Sequence, residues 1–421
     1  MTSEFLVRHP AGLPDFAGRT GFRAAVLTTA ILLYGAAGSP TPDNPGMVEA
    51  LTGGLLILAA GPSAMASLLT PRAPWQKAAL ALALYGLTVP VLGGLANGSG
   101  VVAMLRDVIP FLFLLLPFFM TMSAATEESS RFMLTAAIVL AGVMFALRVA
   151  APVLTQNSFR DTVASPDPLY LANAPTVLFA ALLLTGLAGR ELYAGAGVRR
   201  LTRAAALAAG AFLSLTATIL VTQRASMGIT VLYIVFFLTT ALIRNPARAV
   251  LPLLVLLILI MGSWTIDMQV LHGAVEKTEL VGVNMRWQEA AAVFNRLGDN
   301  FWAILFGRGW GATVASPAVG GMTVNFTHSL LTSYWLKTGL CGLALALLYL
   351  FRLGMMLARL MPARPLLAAA IAGPLLIDVS LYASFKSLDF GLVLLLIPLW
   401  APSAQKLRQK PGEYSIAADF Q

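Results

Sequence analysis

TRAAALAAGAFLSLTATILVTQRASMGITVLYIVFFLTTALIR, residues 202–244, decides the fold class. Two apolar runs, 204–222 and 227–243, flank a short turn of Thr222, Gln223, Arg224, Ala225 and Ser226. Each run approaches the roughly 20 residues that a helix needs to cross the hydrocarbon core of a bilayer. Neither alternates polar and apolar side chains as a barrel strand would, and a helix satisfies its backbone polar groups within the segment, so helices are the workable spanning structure. The stretch predicts a helical hairpin through a membrane with an arginine at its tip.

Working outward, similar apolar segments lie at 20–37, 47–69, 78–96, 101–122, 132–150, 170–187, 249–266, 328–350, 365–382 and 388–401. With the first pair they predict an all-α polytopic membrane protein of about 12 transmembrane helices. Composition agrees: 58% of the 421 residues are hydrophobic and 11% charged, against about 25% charged in soluble domains. A soluble globule and a disordered chain are excluded, and the single Cys341 excludes a disulfide scaffold. With an even number of spans and both termini inside, 18 of the 28 lysines and arginines fall on the cytoplasmic side, the bias that topology demands. The net charge of +9 therefore reflects topology, and no nucleic-acid partner is expected. The predicted organisation is a cytoplasmic leader (1–19), a single transmembrane domain (20–401) with a large outer loop at 267–327, and a cytoplasmic tail (402–421). The first span ends in Gly35, Ala36, Ala37 and Gly38 and also reads as a signal peptide, which leaves the remaining topology unchanged.

A loop as long as 267–327 in a compact fold is functional or disordered, and its composition argues against disorder. The run NMRWQEAAAVFNRLGDNFWAILFGRGW (284–310) spaces Trp287, Ala291, Phe294 and Leu297 at helical intervals, predicting an amphipathic helix on the outer membrane face. The outer side carries seven arginines: Arg106, Arg148, Arg160, Arg224, Arg286, Arg296 and Arg308. Cations at such depth are costly unless paired or solvated, and a guanidinium grips phosphate oxygens in bidentate fashion. An anionic ligand is the functional reading; the competing one is pairing with Asp107, Asp161, Asp267, Glu289 or Asp389, or snorkelling to lipid headgroups.

Of three histidines, His9 lies in the leader, His272 just past a span, and His328 opens a helix directly after the long loop. A neutral imidazole there can accept a proton near neutral pH. No metal is expected at His328, since Leu331 and Thr332 stand where helical partner ligands would. Phe306, Gly307, Arg308, Gly309, Trp310 and Gly311 lack the spacing of a nucleotide loop and predict a tight turn presenting Arg308 and exposed backbone amides to an anion. Gly339 and Gly342 predict close helix packing. Asp378, inside the eleventh span, is a possible proton-relay residue with Tyr382 one turn on as a hydrogen-bond partner.

The order of these motifs, TQRAS (222–226), NMRWQEA (284–290), FGRGWG (306–311) and THSLLTSYWLKTGLCGL (327–343), resembles the O-antigen ligase and polymerase superfamily. The resemblance covers the whole span count and is motif-specific from about 210 to 345. It implies a GT-C-like, metal-independent and cofactor-free glycosyltransferase of the bacterial inner membrane. Such an enzyme moves glycan from an undecaprenyl (polyprenyl) diphosphate-linked oligosaccharide to a glycan or lipid acceptor at the periplasmic face, in surface polysaccharide biosynthesis. Repeat-unit polymerase is preferred to ligase. Carried onto matching positions, Arg224 and Arg286, with Arg308 beside them, bind diphosphate, and His328 orients or deprotonates the acceptor hydroxyl. Arg106, Arg148 and Arg296 are further candidates. The chain departs from the family pattern at Ser329 and Lys337, where asparagine and an acid are usual. A secondary transporter or flippase also fits twelve spans, but should show midplane polar residues in interrupted helices; a purely structural subunit leaves the outer arginines unexplained.

Overall fold

A computed structural model describes residues 19–40, 46–124, 128–155, 166–195, 197–221, 223–255 and 285–401. The leader up to residue 18, Thr222, Arg160, Asp161, His272, Asp267, the first part of the long loop, most of the 249–266 segment and the tail lie outside the described residues. The described chain is a predominantly helical membrane protein. Six helices are long and apolar enough to cross a bilayer: Pro74–Ala96, Glu128–Pro152, Pro175–Ala194, Val198–Leu220, Arg224–Arg244 and Leu330–Leu360. Shorter apolar helices occupy Gly21–Ala37, Met47–Gly61, Pro246–Val255, Pro365–Ser380 and Leu388–Trp400.

In chain order the helices are α1 (Arg19–Ala37), α2 (Met47–Leu69), α3 (Pro74–Ala96), α4 (Val101–Leu114), α5 (Leu116–Ala124), α6 (Glu128–Thr155), α7 (Pro166–Ala172), α8 (Pro175–Ala194), α9 (Val198–Leu220) and α10 (Arg224–Arg244). After α11 (Pro246–Val255) come α12 (Arg286–Gly298), α13 (Phe301–Phe306), α14 (Leu330–Leu360), α15 (Pro365–Ser380) and α16 (Leu388–Trp400). Proline opens α3, α8 and α15, where its missing N–H is no loss and its fixed φ suits the first turn.

Four sequence-predicted spans are interrupted, 47–69 at Gly61 (φ 48°, ψ −150°) and 328–350 at Gly339 among them. The 101–122 segment breaks at Leu115 (φ −87°, ψ 4°) into α4 and α5. The 170–187 segment breaks at Asn173–Ala174 between α7 and α8, because Pro175 restricts the residue before it to extended backbone.

α8 and α16 are apolar and buried on nearly every side, which marks them as the centre of the bundle. Gly142 lets α6 approach α8 so closely that a Cβ there would collide with the Thr176 carbonyl, the small-residue contact of membrane helix packing. Around this centre, α9 and α10 leave Phe212, Val231, Leu232 and Val235 exposed, as lipid-facing surfaces do.

Residues 285–327 build a small cap against the C-terminal end of α3 and the start of α14. It contains α12, α13 and an antiparallel hairpin of β1 (Val314–Ser316) and β2 (Met322–Val324). Its own core is Val293, Leu297, Ala303 and Val314 with Leu336 of α14. The amphipathic helix is α12, and it carries two apolar stripes. Val293 and Leu297 pack inward, whereas Trp287 and Phe294 project outward at 87% and 53% exposure. Of the four residues whose spacing predicted the helix, only Leu297 is buried, because the cap claims one face and leaves the other for a surface.

The cap is fastened at a break in α14. Gly339 leaves the helix (φ 66°, ψ −173°), which frees carbonyls that an unbroken helix would bond. All three of the nearest are taken from outside: Leu336 O accepts from Arg308 N at 2.8 Å, Lys337 O from Gly309 N at 3.0 Å, and Thr338 O from the Tyr85 hydroxyl at 2.7 Å. Gly307, Gly309 and Gly311 all have φ near +80°, a region costly to side-chain-bearing residues. A Cβ on Gly309 would meet the Gly94 backbone and one on Gly339 the Leu305 carbonyl.

Candidate active site

The site forms where the first turn of α12 meets the start of α14. Glu289, 1% exposed, accepts three hydrogen bonds: from the Ser316 hydroxyl at 2.6 Å, from the His328 backbone N–H at 2.9 Å, and at 3.1 Å from His328 Nδ1. The carboxylate accepts only, so the proton of that last bond belongs to Nδ1. The other ring nitrogen, Nε2, is then the basic one. The His328 side chain is 28% exposed, open enough to reach a ligand. Its backbone is held on the other side as well. Ser329 caps α14 by accepting from Leu331 N at 3.2 Å and donates to Val379 O at 3.3 Å, and Thr327 N donates to Ser333 Oγ at 3.0 Å. Burial raises the Glu289 pKa, opposed by the Ser316 hydroxyl and by the positive charge of Arg286.

Arg286 opens α12. Its Nε and Nη1 are buried and find no hydrogen-bond partner among the described residues. A buried donor left unmade costs about 1–3 kcal/mol, more when charged, so the guanidinium is shaped for a partner beyond the described residues. Burial lowers its pKa, while Glu289 and Tyr382 act to raise it. Arg224 opens α10 and is exposed. Its turn is fixed by buried Gln223, which donates to Asn173 Oδ1 and accepts from Ser226 Oγ at 2.9 Å. Arg286 and Arg224 both lie within electrostatic range of the Tyr382 phenol, as does Asp378.

The other arginines have different surroundings. Arg308 Nη2 donates to the Arg296 carbonyl at 2.9 Å and lies 3.9 Å from Asp299 Oδ2. The amides of the glycine turn, expected to be open to an anion, are consumed instead: Arg308 and Gly309 by α14, Trp310 by Pro90 O at 2.9 Å, and Gly311 by Asp107 Oδ2 at 2.7 Å. The turn fastens the cap. Arg296 is exposed on α12. Arg148 donates to Gly35 O at 3.2 Å and Gly38 O at 2.7 Å and rests on the Phe145 ring, closing the end of α1. Arg106 is exposed on α4 and acts on Lys386.

Three residues outside the sequence-predicted set enter the picture. Glu289 appeared there only as a partner for arginines, and Tyr382 only as a partner for Asp378. Lys386, in a 3-10 turn after α15, sits 3.2 Å from the Phe326 ring centroid. Phe326 in turn meets the His328 ring edge-on at 6.4 Å. The Lys386 pKa is pushed down to about 7 by burial, with Lys337 and Arg106 adding to the effect and Asp107 opposing it. A cavity of about 20 Å³ lies beyond Phe326, lined by Lys386, Lys337, Asp107, Trp310 and Tyr334 among others, enough for a single water. Among the described residues, no three His, Cys, Asp or Glu side chains gather as a metal site.

Compared with profiles of known protein families and with curated proteins, the sequence finds no match.

Proposed function

We propose that the chain is a glycosyltransferase of the bacterial inner membrane, GT-C-like, with about 12 spans and its cap facing the periplasm. It transfers glycan from a polyprenyl diphosphate-linked donor, as a repeat-unit polymerase in preference to a ligase. The observation that carries the reading is the Glu289–His328 pair standing beside an arginine with two buried, unpartnered donors. Transfer from such a donor needs a proton removed from the acceptor hydroxyl and negative charge stabilised on the departing diphosphate. His328 Nε2 takes the proton, with Glu289 stabilising the resulting imidazolium through Nδ1. The hydroxyl oxygen bonds to the anomeric carbon as the bond to diphosphate breaks, and its electron pair leaves with the phosphate oxygen. Arg286 and Arg224 hold that oxygen's charge, an effect strengthened where water is scarce. No step in this scheme needs a metal.

A transporter reading draws support from buried acids and interrupted helices: Asp378, 2% exposed, has Oδ2 without a partner among the described residues, Asp389 is buried between Tyr34 and Thr176, and helices break at Leu115 and Gly339. The discriminating experiment incubates purified protein with a polyprenyl-diphosphate oligosaccharide and separates the products by size. A ladder of longer glycans is expected. A single conjugate would select the ligase, whereas no transfer together with movement of the lipid across vesicles would overturn the enzyme.

A further inference from the structure

The pocket beyond Phe326 contains an ammonium that its neighbours leave without an acceptor. Its volume is about 20 Å³, room for about one water, and most of the polar groups in its wall are committed. Asp107 attracts Lys386, but one of its carboxylate oxygens is paired with Lys337 and the other accepts from Gly311 N at 2.7 Å. Trp310 Nε1 donates to Gly86 O at 2.7 Å, and Ser333 Oγ accepts from Thr327 N at 3.0 Å. Lys386 Nζ lies over the Phe326 ring, 3.2 Å from its centroid, and no acceptor among the described residues hydrogen-bonds it. An ammonium carries three N–H donors, so the pocket keeps one uncommitted positive charge. The Tyr334 hydroxyl, also in the wall, is a second donor without a hydrogen-bond partner among the described residues.

Lys386 also stands close to the reacting groups. The Phe326 ring that it covers lies 6.4 Å from the ring of His328, so a single sugar residue with its substituent can reach both the ammonium and the imidazole. Phe326 and Ser333 flank His328 in the chain and both line the pocket, and Lys386 is partly exposed, which leaves it open to a ligand. Size and charge choose that ligand. One unmatched ammonium suits a monoanion, and room for about one water takes a carboxylate oxygen but not a tetrahedral phosphate. Resting on the proposed function, we infer that Lys386 selects an acceptor glycan ending in a hexuronic acid, whose carboxylate pairs with the ammonium while a ring hydroxyl faces His328 Nε2. Burial leaves the free Lys386 with a pKa of about 7, and the bound carboxylate favours the charged form.

The test measures sugar binding to the full chain in lipid nanodiscs by saturation-transfer NMR titration. The probes are sodium glucuronate and galacturonate, their neutral counterparts glucose and galactose, and sodium acetate. The parent should bind one of the uronates about tenfold more tightly than its neutral counterpart and than acetate, the worth of one charge-assisted hydrogen bond. Lys386→Met should bring that uronate down to the level of the neutral sugar, whose own binding stays as it was. Should Lys386→Met melt early, Lys386→Gln, which keeps a polar head, is read in the same way. A parent that binds neither uronate better than its neutral counterpart, or a variant that keeps the preference, overturns the inference. Acetate bound as tightly as the uronate also overturns it, by showing a site for any small carboxylate. The proposed function is judged separately, by transfer from the polyprenyl-diphosphate donor, so a lost preference for uronates leaves it standing.

Discussion

Two acid–base pairs tie the cap to the helices, and they differ in how much each leaves open. Asp107 and Lys337 are ion-paired with side-chain exposures of 4% and 5%, and the second oxygen of Asp107 is taken by Gly311 N. Glu289 is equally buried at 2%, yet its partner His328 keeps 28% of its side chain exposed. The first pair is closed on itself and joins α4 to α14 and the glycine turn. The second holds one end of an imidazole and presents the other. Burial of a charge is common to both, so burial alone does not mark a site. The distinguishing feature is a nitrogen left facing outward beside unfilled guanidinium donors.

His328→Ala should break this comparison most visibly, lowering transfer at least a hundredfold, within the usual worth of a general base, while the melting transition stays put. Retained transfer would strip the open pair of its role. Asp107→Asn should do the converse by leaving Lys337 buried without its counter-charge, costing about 3–5 kcal/mol of stability. Detergent unfolding curves coincident with the parent would show that the closed pair fastens nothing.

Glu289→Gln sharpens the contrast, since the amide preserves shape but not charge. Transfer should fall about tenfold, the worth of one charge-assisted hydrogen bond, and the acid limb of the rate profile should move to lower pH because the carboxylate that stabilises imidazolium is gone. A limb that stays in place would show that Glu289 only positions the ring.

The smallest effect is expected at Lys386. With its pKa lowered to about 7, the folded chain holds fewer protons than the unfolded one between pH 7 and the ordinary lysine range. Stability of the parent therefore rises with pH through that window. Lys386→Met should be more stable than the parent at pH 6, the lost contact with Phe326 offsetting part of the gain, and the gap should narrow as the pH rises towards 10. A gap that does not vary with pH would place the ammonium in ordinary solvent.

The helical hairpin around Arg224 was legible in the sequence because an apolar run of bilayer length has few alternatives. The breaks at Leu115 and Gly339 differ in that respect. At Leu115 the flanking residues are as apolar as any span interior, so hydropathy passes over it. Gly339 was visible as a packing glycine, but its departure from helix depends on the turn at 307–311 lying against it. Arg286 and His328 stood out by residue type and place. The Glu289–His328 contact did not, since the two are 39 residues apart and meet only because the β1–β2 hairpin folds between them. Glycines announced the FGRGWG turn, whereas the destination of its amides lay in α3, α4 and α14, beyond any local pattern.

The way that turn is fastened constrains how the chain can be made. Its amides are matched by Pro90 and Asp107, which leave the ribosome long before it, and by Leu336 and Lys337, which leave after it. The cap can therefore settle only once α14 has entered the membrane. A nascent chain halted just short of α14 would display unmatched amides and the apolar residues of α12 and α13 to quality-control proteases, so truncations upstream of residue 330 should be degraded rather than accumulate as partial folds.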